Sequence, residues 1–451
     1  MKKKLRSYIW LIQSMLARYK KQIIIAFFVG IAAVLGVWRF LPEVQGVFFP
    51  STKVIGIVGS YEPAKLPNHI QRLISAGFTL VTDQGTPEAL LATSWEVDPD
   101  GKRYFFHLKP NQYWHDGTEF TAFDVNYNFE DVVISPADRH TLKVELEEPF
   151  SPLPNHLARP LFKPGLVGLG PYQVVRLELA GATVKRLMLK PYDDPGTLTD
   201  EREGKSTLDM KFYPTVDDAY LAFQLGEVDI LENLPNSDHF RNYPNVTITP
   251  KVQYDRFMGI FFNNSHELLK TKELRQALSF AAPQIDGVDA LSPISITSWA
   301  FNANIKEYKH NMDQAKTLFE KAGVATSSPT LELATFSDYL PIADEIAKNW
   351  KELGVTTQVK VVQAFPSEFD VLLGVQEIPS DPDQYPLWHS TQGTNVTHYN
   401  NPKIDKLLEE GRKKTGRDER LVIYRDFQKY LVDDAPAHFL IHPTVYTITR
   451  K

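Results

Sequence analysis

The chain has no cysteine in 451 residues. That excludes disulfides, thiolate metal sites and cysteine nucleophiles, and with them a lipid-modified N-terminal cysteine. Several enzyme signatures are missing as well. There is no phosphate-binding Gly-rich loop, no Gly-x-Ser-x-Gly, no His-Glu-x-x-His and no dinucleotide glycine fingerprint. The twelve histidines are scattered without zinc-like pairing. No internal repeat or low-complexity run occurs. Excess positive charge is absent too: the formal net charge is -6, which argues against nucleic acid as a partner. What remains, 43% hydrophobic and 23% charged residues, is ordinary globular composition. The length suits two or three domains.

Long apolar runs are also scarce, with one exception. Ile23 to Trp38 (IIIAFFVGIAAVLGVW) carries no charge, and with its flanks it reaches roughly the 17 residues at the short end of a bilayer span. Lys2, Lys3, Lys4, Arg6, Arg18, Lys20 and Lys21 precede it and few basic residues follow, so the N-terminus is expected in the cytoplasm and the rest outside. A cleaved signal peptide and an uncleaved anchor compete. The long basic leader and the want of a small-x-small site favour a single-pass anchor in the cell membrane. Leu5 to Tyr19 also reads as a basic amphipathic helix on the inner membrane face.

Beyond the anchor, strand and helix patterns alternate from Val54 onward, an α/β reading. Trp95–Val97 and Arg103–Leu108 read as strands joined by a turn at Asp98-Pro99-Asp100-Gly101. His115-Asp116-Gly117 has the look of a catalytic pair, but without a partnered serine or metal set a tight turn is the better reading. Thr121 and Asp124 form a capping box for a helix expected through Phe129. Phe257–Asn264 reads as an apolar strand ending in two amides. Pro341–Leu353 reads as a helix ended by Gly354, with Trp350 on its apolar stripe.

Phe369–Ser390 (FDVLLGVQEIPSDPDQYPLWHS) draws most attention. It starts as a buried strand, then Pro379, Pro382 and Pro386 hold it as a loop. Asp381, Asp383, Tyr385, Trp388 and His389 sit on that loop. Carboxylates and large aromatics after a core strand suit a binding surface, and equally aromatics capping the core. Asp381-x-Asp383 lacks the further oxygen ligands of a calcium site, so no metal and no cofactor is expected. Trp299 lies on another loop and is a second candidate for lining a cleft.

An ordered set of phrases resembles the family-five extracellular solute-binding proteins, the peptide- and nickel-binding subunits of ABC importers. They are Leu91-Ala92-Thr93-Ser94-Trp95, Trp114-His115-Asp116-Gly117, Ala122-Phe123-Asp124-Val125, Gly170-Pro171-Tyr172, Ala219–Ile230 and Tyr399-Asn400-Asn401-Pro402, with a terminal Asp434-Ala435-Pro436. The resemblance implies a two-lobed periplasmic-binding-protein-like fold of the class II type, with a hinge and an inter-lobe cleft. With the basic segment, anchor and linker at residues 1–52, it implies 53–258 plus 435–451 as the N-terminal lobe and 259–434 as the second lobe. The crossings are expected near Phe257–Asn264 and Tyr430–His438. It makes the His-Asp-Gly phrase structural and turns Phe369–Ser390 toward the cleft. The ligand set it implies is Asn263, Asn264, Trp299, Gln376, Ile378, Asp381, Asp383, Tyr385, Trp388 and His389.

The implied function is a monomeric, anchored extracellular protein, without bond chemistry, that delivers a peptide or peptide-like solute to ABC permease subunits. A receptor ectodomain or envelope scaffold that keeps the fold is the alternative. A hydrolase would need a nucleophile–base pair that the sequence does not offer. Dipeptide-binding members hold the ligand amine with an Asp where Ile378 stands here, and its carboxylate with an Arg that Phe336–Leu340 lacks. An unpaired buried terminus costs several kcal/mol, so a free dipeptide is not expected. An oligopeptide held by its backbone, or another solute, stays open. Replacing Trp388 or Gln376 is expected to weaken binding without unfolding.

Overall fold

The computed structural model describes residues 18–21, 30, 52–192, 206–324 and 329–451. The expected anchor and linker lie almost wholly outside the described residues. Among those described, no helix is long and apolar enough to cross a membrane.

The first part of the chain runs β1 (Thr52–Val58), α1 (Asn68–Ile74), β2 (Thr79–Val81) and β3 (Pro87–Ala89). It continues β4 (Ala92–Val97), β5 (Arg103–Leu108), β6 (Val132–Asp138) and β7 (Thr141–Leu146). Then come β8 (Tyr172–Ala180), β9 (Thr183–Pro191), β10 (Thr207–Tyr213), α2 (Val216–Gln224), β11 (Ile230–Leu234) and β12 (Val246–Val252). The second part runs β13 (Arg256–Phe262), α3 (Lys272–Ala281), β14 (Val288–Asp289), α4 (Met312–Lys321), β15 (Thr330–Thr335), α5 (Leu340–Leu353), β16 (Thr356–Val361) and β17 (Val371–Glu377). Two helices, α6 (Pro402–Lys413) and α7 (Arg417–Asp434), precede β18 (Ala437–His442) and β19 (Thr444–Arg450).

These strands make two large mixed sheets. One has the order β12-β19-β11-β1-β10-β9-β8, the other β14-β18-β13-β17-β15-β16. A smaller sheet, β4-β5-β7-β6, and the hairpin β2-β3 sit beside the first. The hairpin of β4 and β5 forms as the alternation predicts: Tyr104, Phe106 and Leu108 are buried, and Arg103, Phe105 and His107 are not. Inside the second sheet β13 is flanked on both sides, and Phe257 to Phe262 are all buried, which is why the strand reads as one apolar run. Trp350 on α5 is fully buried and donates from Nε1 to the Leu278 carbonyl at 2.9 Å.

The chain passes between the large sheets twice, at Gln253–Asp255 and at Pro443. The two passages touch, with Gln253 N donating to the Pro443 carbonyl at 2.8 Å. The first passage lies just before Phe257–Asn264, near which a crossing is expected, and the second lies a strand beyond Tyr430–His438. Residues 257–262 are buried within the second sheet, whereas Pro443 has no N–H for a ladder and ends β18 where the strand must turn.

The helix expected after Thr121 shrinks to a single turn, Ala122–Asp124. Its capping box is intact, with Thr121 N and Oγ1 both donating to Asp124 Oδ2 at 2.7 and 2.8 Å. Beyond it Val125, Tyr127 and Phe129 are half-buried against the small sheet's core and Asn126 and Asn128 are exposed. That is a period of two, and Asn and β-branched residues do not oppose an extended path.

Candidate functional site

The loop after β17 is built by its two carboxylates. Asp381 Oδ1 accepts from Asp383 N at 2.9 Å, and Asp383 Oδ1 accepts from Tyr385 N at 3.1 Å. These paired Asx turns bend the proline-rich segment into the one-turn helix Tyr385–Trp388. The outer carboxylate faces are taken by arginines. Arg420 of α7 grips Asp381 through both terminal nitrogens, and Arg412 of α6 reaches Asp383 Oδ2 at 2.9 Å. Both aspartates and Arg420 are buried. Burial works against the Arg420 cation, but Asp381 more than offsets this and holds its pKa above the usual arginine range. At Asp383 burial wins over Arg412 and pushes the carboxyl up. The carboxylates thus shape the loop, each with an arginine as its counter-ion. Among the described residues no group of three acidic or histidine side chains could hold a metal.

The other expected ligand residues divide. Asn263 and Asn264 brace a turn. Asn263 Nδ2 donates to the Phe369 carbonyl at 2.8 Å, and Asn264 N and Nδ2 both donate to the Thr397 carbonyl, at 2.8 and 3.1 Å. Tyr385 stacks on His389 with ring centres 4.1 Å apart and carries the Arg412 guanidinium at 4.0 Å on its ring. His389 is buried, with Nδ1 2.8 Å from Thr391 Oγ1 and Nε2 3.3 Å from Glu409 Oε1. Trp388, read above as lining a cleft, is 1% exposed and packs against Phe439 in the second lobe's core. Its helical turn, which the prolines hid, folds it inward. Ile378 is buried too, and its N–H donates to the Asp255 carbonyl at the crossing, at 2.7 Å.

Trp299 is half-buried where the two parts meet. Its backbone N–H donates to the Gln84 carbonyl at 3.0 Å, and Thr297 Oγ1 donates to the Asp83 carbonyl at 3.0 Å. Gly85, in the same β2–β3 turn, packs so closely on the Ser380 carbonyl that a Cβ there would collide with it. Asn155 Nδ2 holds that turn from behind, through the Gly85 carbonyl at 3.0 Å. Burial lowers the pKa of neighbouring His156, while Asp383 and Asp381 pull it back up, so the carboxylate loop lies against this part of the first lobe. Sequence reading missed Asp83–Gly85, Gln384, Arg412 and Arg420. Nothing local marks either arginine as the partner of an aspartate 29 or 39 residues away.

A last feature is a half-open strand. β17 pairs with β13 along its whole length, but with β15 only at Val371–Leu373. Among the described residues no strand takes the other side of Gly374–Glu377. The antiparallel ladder alternates, and Ile378 N already points to Asp255, so the N–H and C=O groups of Val375 and Glu377 face that open edge.

Two sheeted lobes, joined by two adjacent strand crossings, meet across the loop after β17, the mixed α/β fold of periplasmic binding proteins. The chain belongs to the bacterial extracellular solute-binding proteins of family 5, whose model matches residues 86–136 and 131–398. It is a binding protein and not an enzyme. Among curated relatives it is 25% identical to a probable D,D-dipeptide-binding periplasmic protein of Escherichia coli K12, over 81% of each chain. Among solved structures it is similar to NikZ of Campylobacter jejuni in complex with Ni(L-His), with a TM-score of 0.73 and 23% identity over 89% of this chain and 94% of that one. It is also similar to the oligopeptide-binding protein AppA of Bacillus subtilis in complex with a nonapeptide, with a TM-score of 0.69 and 19% identity over 89% and 95%.

Proposed function

We propose that this chain is the anchored extracellular binding subunit of an ABC-type importer, and that it takes a peptide by its backbone. The observation that carries the reading is the open edge of β17 at Gly374–Glu377, beside the crossing at Asp255. An extended peptide can add to such an edge as a strand, with backbone hydrogen bonds giving affinity whatever the side chains. The curated relatives named for dipeptides and di/tripeptides favour a peptide. Half-buried Gln376, in the middle of this edge, has a buried Oε1 without a hydrogen-bond partner and fits the rim of such a site.

The lobes then open and close about Gln253–Asp255 and Pro443, with Trp299, Gly85 and Ser380 meeting on closure. Residues 1–52 anchor the chain in the cell membrane with the N-terminus inside. Intact-mass measurement on the membrane-purified protein tests this, because a cleaved leader would remove Met1–Trp38 and contradict the anchor. The peptide reading is tested by calorimetry on the full-length protein with an oligopeptide and its N-methyl scan. N-methylation at the residues that pair with Val375 and Glu377 is expected to abolish binding, and at the intervening residues to be tolerated. Equal affinity throughout the scan would rule out strand addition, and a melting temperature indifferent to every peptide would count against the importer.

A further inference from the structure

The loop beside β17 has engaged its charges and left neutral polar atoms over. Asp381 and Asp383 are held by Arg420 and Arg412, and Ile378 is apolar. Gln384 follows directly. Its side chain is fully buried, and neither Oε1 nor Nε2 has a hydrogen-bond partner. Trp388 lies one helical turn on, so the two side chains share a face, and its buried Nε1–H is likewise unpartnered.

This chain does not generally treat buried amides so. Gln428 is equally buried, and it is fully used. Its Oε1 accepts from Ser292 Oγ at 2.9 Å and Asn302 N at 3.1 Å, and its Nε2 donates to the Ala300 and Tyr424 carbonyls, both at 2.9 Å. A carboxamide with both ends unpaired carries the desolvation cost of two polar groups without return. Gln384 carries it in the loop where the lobes touch, four residues from Ser380, which Gly85 covers. Opening the hinge separates that contact, and closing it shuts the amide away from water.

We infer that Gln384 is a specificity-determining element where the lobes meet. It reads an uncharged group that both donates and accepts, an amide, and it selects solutes that present an amide there and not a free ammonium. Two donors and one acceptor fit a carboxamide or peptide unit. An ammonium would find one acceptor and no free carboxylate. This deepens the peptide reading above and rests on it.

The test is calorimetry on the full-length protein with trialanine and N-acetyl-trialanine. Wild type is expected to bind the acetylated peptide about tenfold more tightly, as a site built for hydrogen bonding does. Gln384→Leu is expected to erase that preference without lowering the melting temperature. The near-isosteric Gln384→Glu is expected to reverse it in favour of the free amine, and it decides the matter if the leucine variant does not fold. If wild type binds both peptides equally, or Gln384→Leu raises the melting temperature and leaves affinity unchanged, the amide is structural and the inference falls while the peptide reading stands. If neither peptide binds, the peptide reading falls and takes the inference with it.

Discussion

Two stretches of this chain crowd the same residue types. The turn His115–Asp116–Gly117 and the loop Asp381–His389 each set His and Asp among aromatics. In the turn the Asp116–Thr118 bonds are local, and the chain at residues 163–170 supplies the other partners. His115 Nε2 lies 2.9 Å from the Gly170 carbonyl, Asp116 Oδ1 accepts from Thr118 N at 2.9 Å and Thr118 Oγ1 at 2.6 Å, and Lys163 Nζ pairs with Asp116 at 3.0 Å. The loop satisfies its carboxylates with arginines from two helices, and it leaves both ends of a fully buried carboxamide, Gln384, unpaired, where the turn leaves the Trp114 indole N–H so. At the turn, where Asp116 and Lys163 are partly exposed, solvent completes the pairing. Polar groups fixed from outside, with a remainder, make a surface that a solute can complete.

The largest break of that contrast comes from removing one partner of each ion pair. Arg420→Ala leaves Asp381 buried and uncompensated, and should destabilise the protein by about 3–5 kcal/mol. Lys163→Ala at the half-exposed turn should cost no more than about 1 kcal/mol. Denaturant titration of the two variants reads the difference directly, and comparable losses would put loop and turn in one class. The pair Asp381→Leu with Arg420→Met should recover most of the loss, since both charges then leave together.

A second contrast uses two glycines of the same backbone conformation. Gly85 and Gly117 both have φ of +80°. Either substitution by Ala brings left-handed strain of about 1 kcal/mol. At Gly117 nothing lies within 4 Å of the new Cβ, so that strain is the whole effect. At Gly85 the Cβ also meets the Ser380 carbonyl across the contact between the lobes. Gly85→Ala should therefore lose about 1–3 kcal/mol and hold the lobes apart. Solution scattering should show a larger radius of gyration for Gly85→Ala than for Gly117→Ala. Matching radii would mean that the Gly85–Ser380 contact does not set closure.

How far the sequence reveals this follows from the range of each interaction. The β4–β5 hairpin, the His-Asp-Gly turn and the buried stripe of α5 are legible because their determinants lie within a few residues. The family phrases carry the two-lobed order. The ends of Phe369–Ser390 are legible as strand and proline loop, but the roles within it are not. Trp388 looks like a loop aromatic, and only the Asx turns set by Asp381 and Asp383 reveal that it folds into the core. Replacing it by alanine is now expected to cost about 3–5 kcal/mol, against the binding-only effect that a cleft-lining residue would give. Asn263 and Asn264 mislead for the same reason: amides at a strand end suit a ligand or a carbonyl across a turn, and the carbonyls of Phe369 and Thr397 are far off in sequence.

The smallest effect is the finest test, because its sign differs between the two stretches. At Asp116 the Thr118 hydroxyl comes first, with Lys163 helping, and the carboxyl is held at about 2 against an ordinary 3.8. The unfolded chain binds the proton more readily, so this stability is present above pH 3.8 and is lost as pH falls through about 2. The side chain is 38% exposed, so after solvent screening the term is below about 1 kcal/mol. At Asp383 burial raises the carboxyl, and the folded state is the readier proton acceptor. Its contribution runs the other way, with stability falling as pH rises through the ordinary carboxylate range. Melting temperatures of Asp116→Asn and Asp383→Asn, each referred to wild type between pH 5 and pH 2, separate the two. Asp116→Asn should flatten the acid loss, and Asp383→Asn should leave it as steep or steeper. A flattening by both would mean that Arg412 outweighs burial at Asp383, and the loop would then hold its carboxylate as an ion-paired anion much as the turn does.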